Sequence, residues 1–197
     1  MARSDRTIKN GATMIDIGTD KKGHSLRTLL WQALSKYETE ALFQFVLDKD
    51  IPVRTAAARE LQMRRTRKVF KFAAELTTRK SQVAREMGAF ILGQIGAPKY
   101  PFRKEAVPLL EELSGDDNAS VRAAAVAGLG HLKSTRSLEI IASAVSDKSA
   151  DVRLSVVFAL SAINPSEQVS SLLKQLALDT DRDVRRWAAS TLTDIET

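Results

Sequence analysis

Asp116-Asp117-Asn118-Ala119-Ser120-Val121-Arg122-Ala123-Ala124-Ala125-Val126-Ala127-Gly128-Leu129 runs from a short acidic turn into an alanine-rich segment opened by Val-Arg. The dipeptide returns at Val53-Arg54, Val152-Arg153 and Val184-Arg185, and a fifth copy, Val83-Ala84, lacks the arginine. Successive valines are 30, 38, 31 and 32 residues apart, the period of helical solenoid repeats. Five residues before each valine stand Asp48, Thr78, Asp116, Asp147 and Asp179, and three before stand Asp50, Lys80, Asn118, Ser149 and Asp181. Asp50, Asn118, Ser149 and Asp181 are residue types that cap helices by accepting orphan backbone N–H groups. Four residues after the valine come Ala57, Met87, Ala125, Val156 and Ala188; eight after come Leu61, Ile91, Leu129, Leu160 and Leu192. Apolar residues at these offsets form one helical stripe.

An amphipathic segment precedes each of these helices, at about 38–47, 67–77, 103–113, 136–145 and 165–178. In the second, Val69, Phe72, Ala73 and Leu76 lie on one face. Asn164 and Pro165 read as N-cap and first residue of the fifth. The unit is therefore helix A, an acidic turn, helix B, and stacked units share a continuous core. The expected fold is all-α: a solenoid of about five repeats (37–64, 65–96, 102–133, 134–164 and 165–196), without significant sheet. One helix at 25–36 precedes it, with Trp31 and Tyr37 covering that end of the core. The solenoid domain spans 24–197. Residues 1–23, with Gly11, Gly18 and Gly23 and one apolar patch at Met14-Ile15-Asp16-Ile17, read as a tail that is flexible or ordered by a partner.

Composition removes several functions. The chain has 197 residues, no cysteine and only His24 and His131, which excludes disulfides, thiolate nucleophiles and a His-rich metal site. No apolar run reaches the roughly 18 residues of a membrane span. Met1-Ala2-Arg3-Ser4-Asp5-Arg6 leads into no apolar segment and does not read as a secretory signal, and the absence of cysteine favours a reducing compartment. There is no Gly-rich phosphate loop, HExxH or nucleophile elbow. Asp179, Asp181 and Asp183 alternate in a turn, but Arg182, Arg185 and Arg186 beside them oppose a cation site. The reading is of no enzyme, no catalytic or metal residues, no cofactor and no small-molecule substrate.

Four irregularities mark candidate contact residues. Repeat two replaces the turn aspartate by Thr78, the cap by Lys80 and the arginine by Ala84, displacing the arginine to Arg85; the alternative is a reorganised turn capped by Ser81. The 38-residue interval places Tyr100 and Phe102 in a Pro- and Gly-containing loop, where they either tuck beneath it as a satellite cluster or, if exposed, anchor a partner. The net charge of +6 divides unevenly: residues 54–104 hold 13 basic and 3 acidic residues, whereas residues 105–197 hold 9 and 14. The densest run includes Arg64, Arg65 and Lys68, which would attract phosphates or an acidic protein surface. Trp187 follows Arg185 and Arg186 in the last repeat, suited to a terminal cap or to an aromatic contact. The candidate partner-binding set is Arg59, Arg64, Arg65, Lys68, Arg85, Tyr100, Phe102, Arg186 and Trp187.

Turn aspartate followed by Val-Arg and an alanine-rich helix resembles HEAT repeats of the short, lyase-type class, over about residues 37–196. That resemblance implies a hydrogen-bonded ladder between neighbouring repeats, formed by Asp48, Asp116, Asp147 and Asp179 with Arg54, Arg122, Arg153 and Arg185. Met87-Gly88-Ala89-Phe90-Ile91-Leu92-Gly93-Gln94-Ile95, Val157-Phe158-Ala159-Leu160-Ser161-Ala162-Ile163-Asn164 and Asp183-Val184-Arg185-Arg186-Trp187-Ala188-Ala189 are similar to segments of HEAT-repeat immunity proteins of bacterial Rhs-type polymorphic toxins. This implies a cytoplasmic protein that binds and blocks the toxin domain of its own locus. Two alternatives follow from other HEAT-type proteins: a nucleic-acid binder related to alkylpurine glycosylases, carried by Arg59, Arg64, Arg65, Arg85 and Trp187, and a lyase-like enzyme.

Overall fold

The computed structural model describes residues 26–196; the tail at 1–23 and His24 lie outside the described residues. Eleven α-helices follow in order among them: α1 (Leu26–Leu34), α2 (Thr39–Phe45), α3 (Ile51–Arg64), α4 (Arg67–Thr77), α5 (Gln82–Gln94), α6 (Arg103–Leu113), α7 (Ala119–His131), α8 (Leu138–Ser143), α9 (Ala150–Ala162), α10 (Glu167–Leu176) and α11 (Arg182–Glu196). No strand occurs among the described residues. After α1, the even-numbered helices are the A helices and α3, α5, α7, α9 and α11 the B helices. Each B helix packs against its own A helix and the B helix of the next repeat, making an α-solenoid.

The stripe residues make the core. Val121, Val152 and Val184 are inaccessible, as are Ala57, Ala125, Val156, Ala188, Leu61, Ile91, Leu129 and Leu160. The B layer is closely packed because it lacks side chains at the contacts. A Cβ on Gly93 would stand 2.5 Å from Gly128 Cα, and one on Gly130 would stand 2.4 Å from Ala159 Cα. B-helix backbones therefore touch where α5 meets α7 and α7 meets α9, while the A helices have few mutual contacts.

Several local expectations need correction. Asp50 and Ser149 do not cap with their side chains. The aspartate two residues earlier takes the backbone N–H instead, as Asp48 Oδ1 accepts from Asp50 and Asp147 Oδ1 from Ser149. Asn118 and Asp181 do cap α7 and α11. The fifth A helix starts after Pro165, with Ser166 accepting from Val169 N–H in place of the expected Asn164 cap. The segment 136–145 is not one helix: α8 is flanked by 3-10 turns at Thr135–Ser137 and Ala144–Ser146. There the buried hydroxyls of Ser134 and Ser137 bond each other, and Ser137 also donates to Glu111, which fixes a tighter entry. Trp31 and Tyr37 do not cover the core; both are exposed, and Leu34 is the buried residue of that end.

Candidate partner surface and the arginine ladder

Three rungs repeat one geometry. Arg85 donates through Nε and Nη2 to Asp116 at 2.6 and 2.9 Å, Arg122 to Asp147 at 2.7 and 2.8 Å, and Arg153 to Asp179 at 2.6 and 2.8 Å. Each Nη1 turns back to carbonyls of its own turn: Arg79 and Lys80 for Arg85, Asp116 and Asp117 for Arg122, Asp147 for Arg153. The planar fork of arginine suits this, since one edge meets a carboxylate and the remaining nitrogen a carbonyl. Among the described residues, Arg54 and Arg185 make only the backward bonds, to carbonyls of Asp48 and Lys49 and of Asp179 and Thr180.

Repeat two is in a register one residue later than the valine alignment gives. Ser81 caps α5, Ala84 is inaccessible while Val83 is only partly buried, and Arg85 sits four residues after the cap, as Arg122 does after Asn118. Arg85 thus belongs to the ladder and leaves the candidate contact set, because its guanidinium is fully engaged. The same shift puts Arg79, not Thr78, where the other turns carry aspartate. Arg54 accordingly meets no carboxylate, and its Nε is buried without a hydrogen-bond partner.

The ladder makes stability depend on pH. Hydrogen bonding from Arg85, Arg122 and Arg153 respectively holds the carboxyls of Asp116, Asp147 and Asp179 below the usual aspartate range, against an opposing effect of burial; backbone N–H bonds add to it. A carboxyl whose pKa is depressed by folding stabilises the fold above its unfolded value, about 3.9, and loses that contribution as pH falls through the folded value. Thermal midpoints should therefore stay level from neutrality to about pH 5 and then fall below about pH 4. In Asp116→Asn/Asp147→Asn/Asp179→Asn protein the acid decline should be shallower, and an unchanged decline would show that other carboxyls govern it.

Most of the basic run is internally engaged. Arg64 bonds Glu60, Thr39 Oγ1 and the carbonyls of Ser35 and Tyr37, fastening the α1–α2 connection. Arg65 donates to the Ala97 carbonyl, Lys68 pairs with Glu40, and Arg67 pairs with Glu105. Phe102 is buried against Phe70 with Arg67 over both rings, so it is no exposed anchor. Tyr100 is partly buried against the same core. Arg59 is exposed on α3 and engaged within the chain. Trp187 differs from these: it is half-buried, its ring lies 5.6 Å from that of Phe158, and the exposed Arg186 stands 5.4 Å above it. Sequence spacing marked Trp187 but missed Phe158, whose six-residue offset from Val152 identifies it only after the B layer is known. A shallow hollow lined by Val145, Asp147, Arg153, Leu176, Leu178 and Asp179 draws its charged groups from the ladder.

The comparisons with known proteins follow from this architecture. Residues 106–193 match the family model of HEAT repeats. That stretch holds all the carboxylates and two of the three arginines of the filled rungs. The chain is homologous to protein YibA of Escherichia coli K12, with 32% identity over 167 residues, covering 81% of this chain and 59% of YibA. It thus spans well under two thirds of that relative's length. The X-ray structure of YibA superposes with a TM-score of 0.78 at 29% identity, over 90% of this chain and 66% of that one. The complex of CpcE and CpcF of phycocyanin lyase from Nostoc sp. PCC7120 matches at TM-score 0.55 and 18% identity, over 100% and 80%. A designed armadillo repeat protein in complex with the peptide (KR)4 matches at 0.54 and 14%, over 86% and 91%. The last two are likenesses of fold alone. No helix among the described residues is long and apolar enough to cross a membrane.

Proposed function

We propose that the chain is a non-catalytic, cytoplasmic protein-binding solenoid, in concrete form an immunity protein that binds and neutralises the Rhs-type toxin domain encoded beside it. The observation that carries the binding role is the Phe158–Trp187 pair under Arg186 on the B layer. Half-exposed aromatics held by a rigid scaffold lose little entropy on docking, the property of interface hot spots. The toxin assignment rests on the resemblance of residues 87–95, 157–164 and 183–189 to that immunity family. Arg59, Arg64, Arg65, Arg85 and Trp187 would carry a nucleic-acid reading, but the four arginines are already engaged within the chain.

The test mixes the purified chain with the adjacent toxin domain and measures mass in solution. A 1:1 complex is expected, weakened at least tenfold by Trp187→Ala, which is about 1.4 kcal/mol or more. No complex with that domain sinks the immunity reading. Duplex DNA binding that falls steeply with salt and is lost in Arg64→Ala/Arg65→Ala/Lys68→Ala protein would replace it with the nucleic-acid one.

A further inference from the structure

We propose that the reversed rung between repeats one and two is a docking site for a carboxylate, supplied by an aspartate or glutamate side chain of the protein partner; the partner, though not the site, rests on the function proposed above. The other rungs define the ligand. Three arginines at the equivalent place each hold one carboxylate through Nε and Nη2, at 2.6–2.9 Å. Arg54 starts from a looser form of the same anchorage, with Nη1 3.5 and 3.3 Å from the carbonyls of Asp48 and Lys49 in its own turn. Its Nε is buried and unpartnered. In Arg54 alone of the four, the facing turn opposes the arginine with a second cation: Arg79, exposed, occupies the aspartate position and Lys80 follows it. A carboxylate arriving from outside would first meet Nη2, reach Nε once the side chains that cover it give way, and neutralise Arg79.

The nearest internal competitor is Glu86 on α5. Arg54 pulls its carboxyl toward the charged form, but burial outweighs that attraction and leaves the pKa raised, and no hydrogen bond joins the two. Glu86 therefore does not reproduce the geometry of a rung. A planar carboxylate also fits the fork better than a tetrahedral phosphate, since all three internal examples are bidentate in the guanidinium plane.

The experiment follows arginine Nε–H signals by NMR in the full-length, 15N-labelled chain, with Arg54 assigned through Arg54→Lys. The probe is N-acetyl-aspartic acid N-methylamide, with inorganic phosphate as a second arm. The Arg54 signal should move saturably at millimolar probe while those of Arg85, Arg122 and Arg153 stay in place. In Arg79→Asp protein, which supplies the carboxylate internally, the Arg54 signal should join the other three, the apparent affinity for the probe should fall at least tenfold, and the thermal midpoint should rise. No saturable shift, an equal response in Arg79→Asp, or tighter saturation by phosphate overturns the proposal. So does a probe response that emerges only in Glu86→Gln protein, which would show Glu86 closing the rung from within. A failed toxin complex with a positive titration would remove the proposed function and leave the carboxylate site standing.

Discussion

Gly130→Val should destabilise the array by about 3 kcal/mol, at the upper end of what overpacking usually does. In a chain of this size that lowers the thermal midpoint by about 6–12 °C. The reason is backbone proximity: even the Cβ of an alanine at 130 would lie 2.4 Å from Ala159 Cα and 2.8 Å from its Cβ. No rotamer relieves such a contact, so α7 and α9 must separate. Gly130→Ala makes the sharper control. In an exposed helix that change is favourable by roughly 0.8–1.0 kcal/mol, whereas here it should destabilise. Guanidinium titration of both variants checks the sign, and a stabilised Gly130→Ala protein would refute the close seam.

Arg122→Ala should cost about 3–5 kcal/mol, because it strands a partner charge in the interior. Arg122 is 8% exposed and serves Asp147 and the carbonyls of Asp116 and Asp117 together. Its removal leaves a largely buried carboxylate and two carbonyls to find other donors. Arg122→Met with Asp147→Leu should recover most of the loss, since a buried ion pair is replaceable by apolar volume. Chemical denaturation of the single and double variants measures the difference. An Arg122→Ala protein within 1 kcal/mol of the parent would mean that the rung behaves as a surface salt bridge.

The period of the Val-Arg copies and the apolar offsets were enough to foresee the solenoid, because each B helix repeats the same burial pattern. The boundaries of α4 and α6 were legible for the same reason. The register of repeat two stayed open between the valine alignment and a turn capped by Ser81: both Val83 and Ala84 fit a helical stripe, and the hydroxyl of Ser81 on Ala84 N–H settles which one faces inward. The valine alignment hid the place of Arg79 and sent Arg85 to the surface. The basic run misled for another reason. Side-chain identity reports charge, but Arg64 and Arg65 reach carbonyls 27 and 32 residues away, which no local pattern encodes. For Phe102 the structure decides between the two readings of its loop: the ring folds under, against Phe70, which a loop rich in Pro and Gly does not itself reveal.

The three filled rungs all point one way: Arg85, Arg122 and Arg153 each hold the turn of the next repeat, never that of the one before. A cut between two such repeats therefore produces unlike ends. Severed between residues 133 and 134, the leading fragment would retain Arg122 without Asp147, and the trailing fragment Asp147 without Arg122. An aspartate can shed its charge by taking up a proton in mild acid, while a guanidinium, with a pKa above about 12, cannot. Fragments ending in a repeat would carry a permanent stranded cation, and fragments beginning with one a charge that acid can erase. The array thus has a polarity, and recombining its pieces in the wrong order would be discriminated by proton uptake as well as by shape.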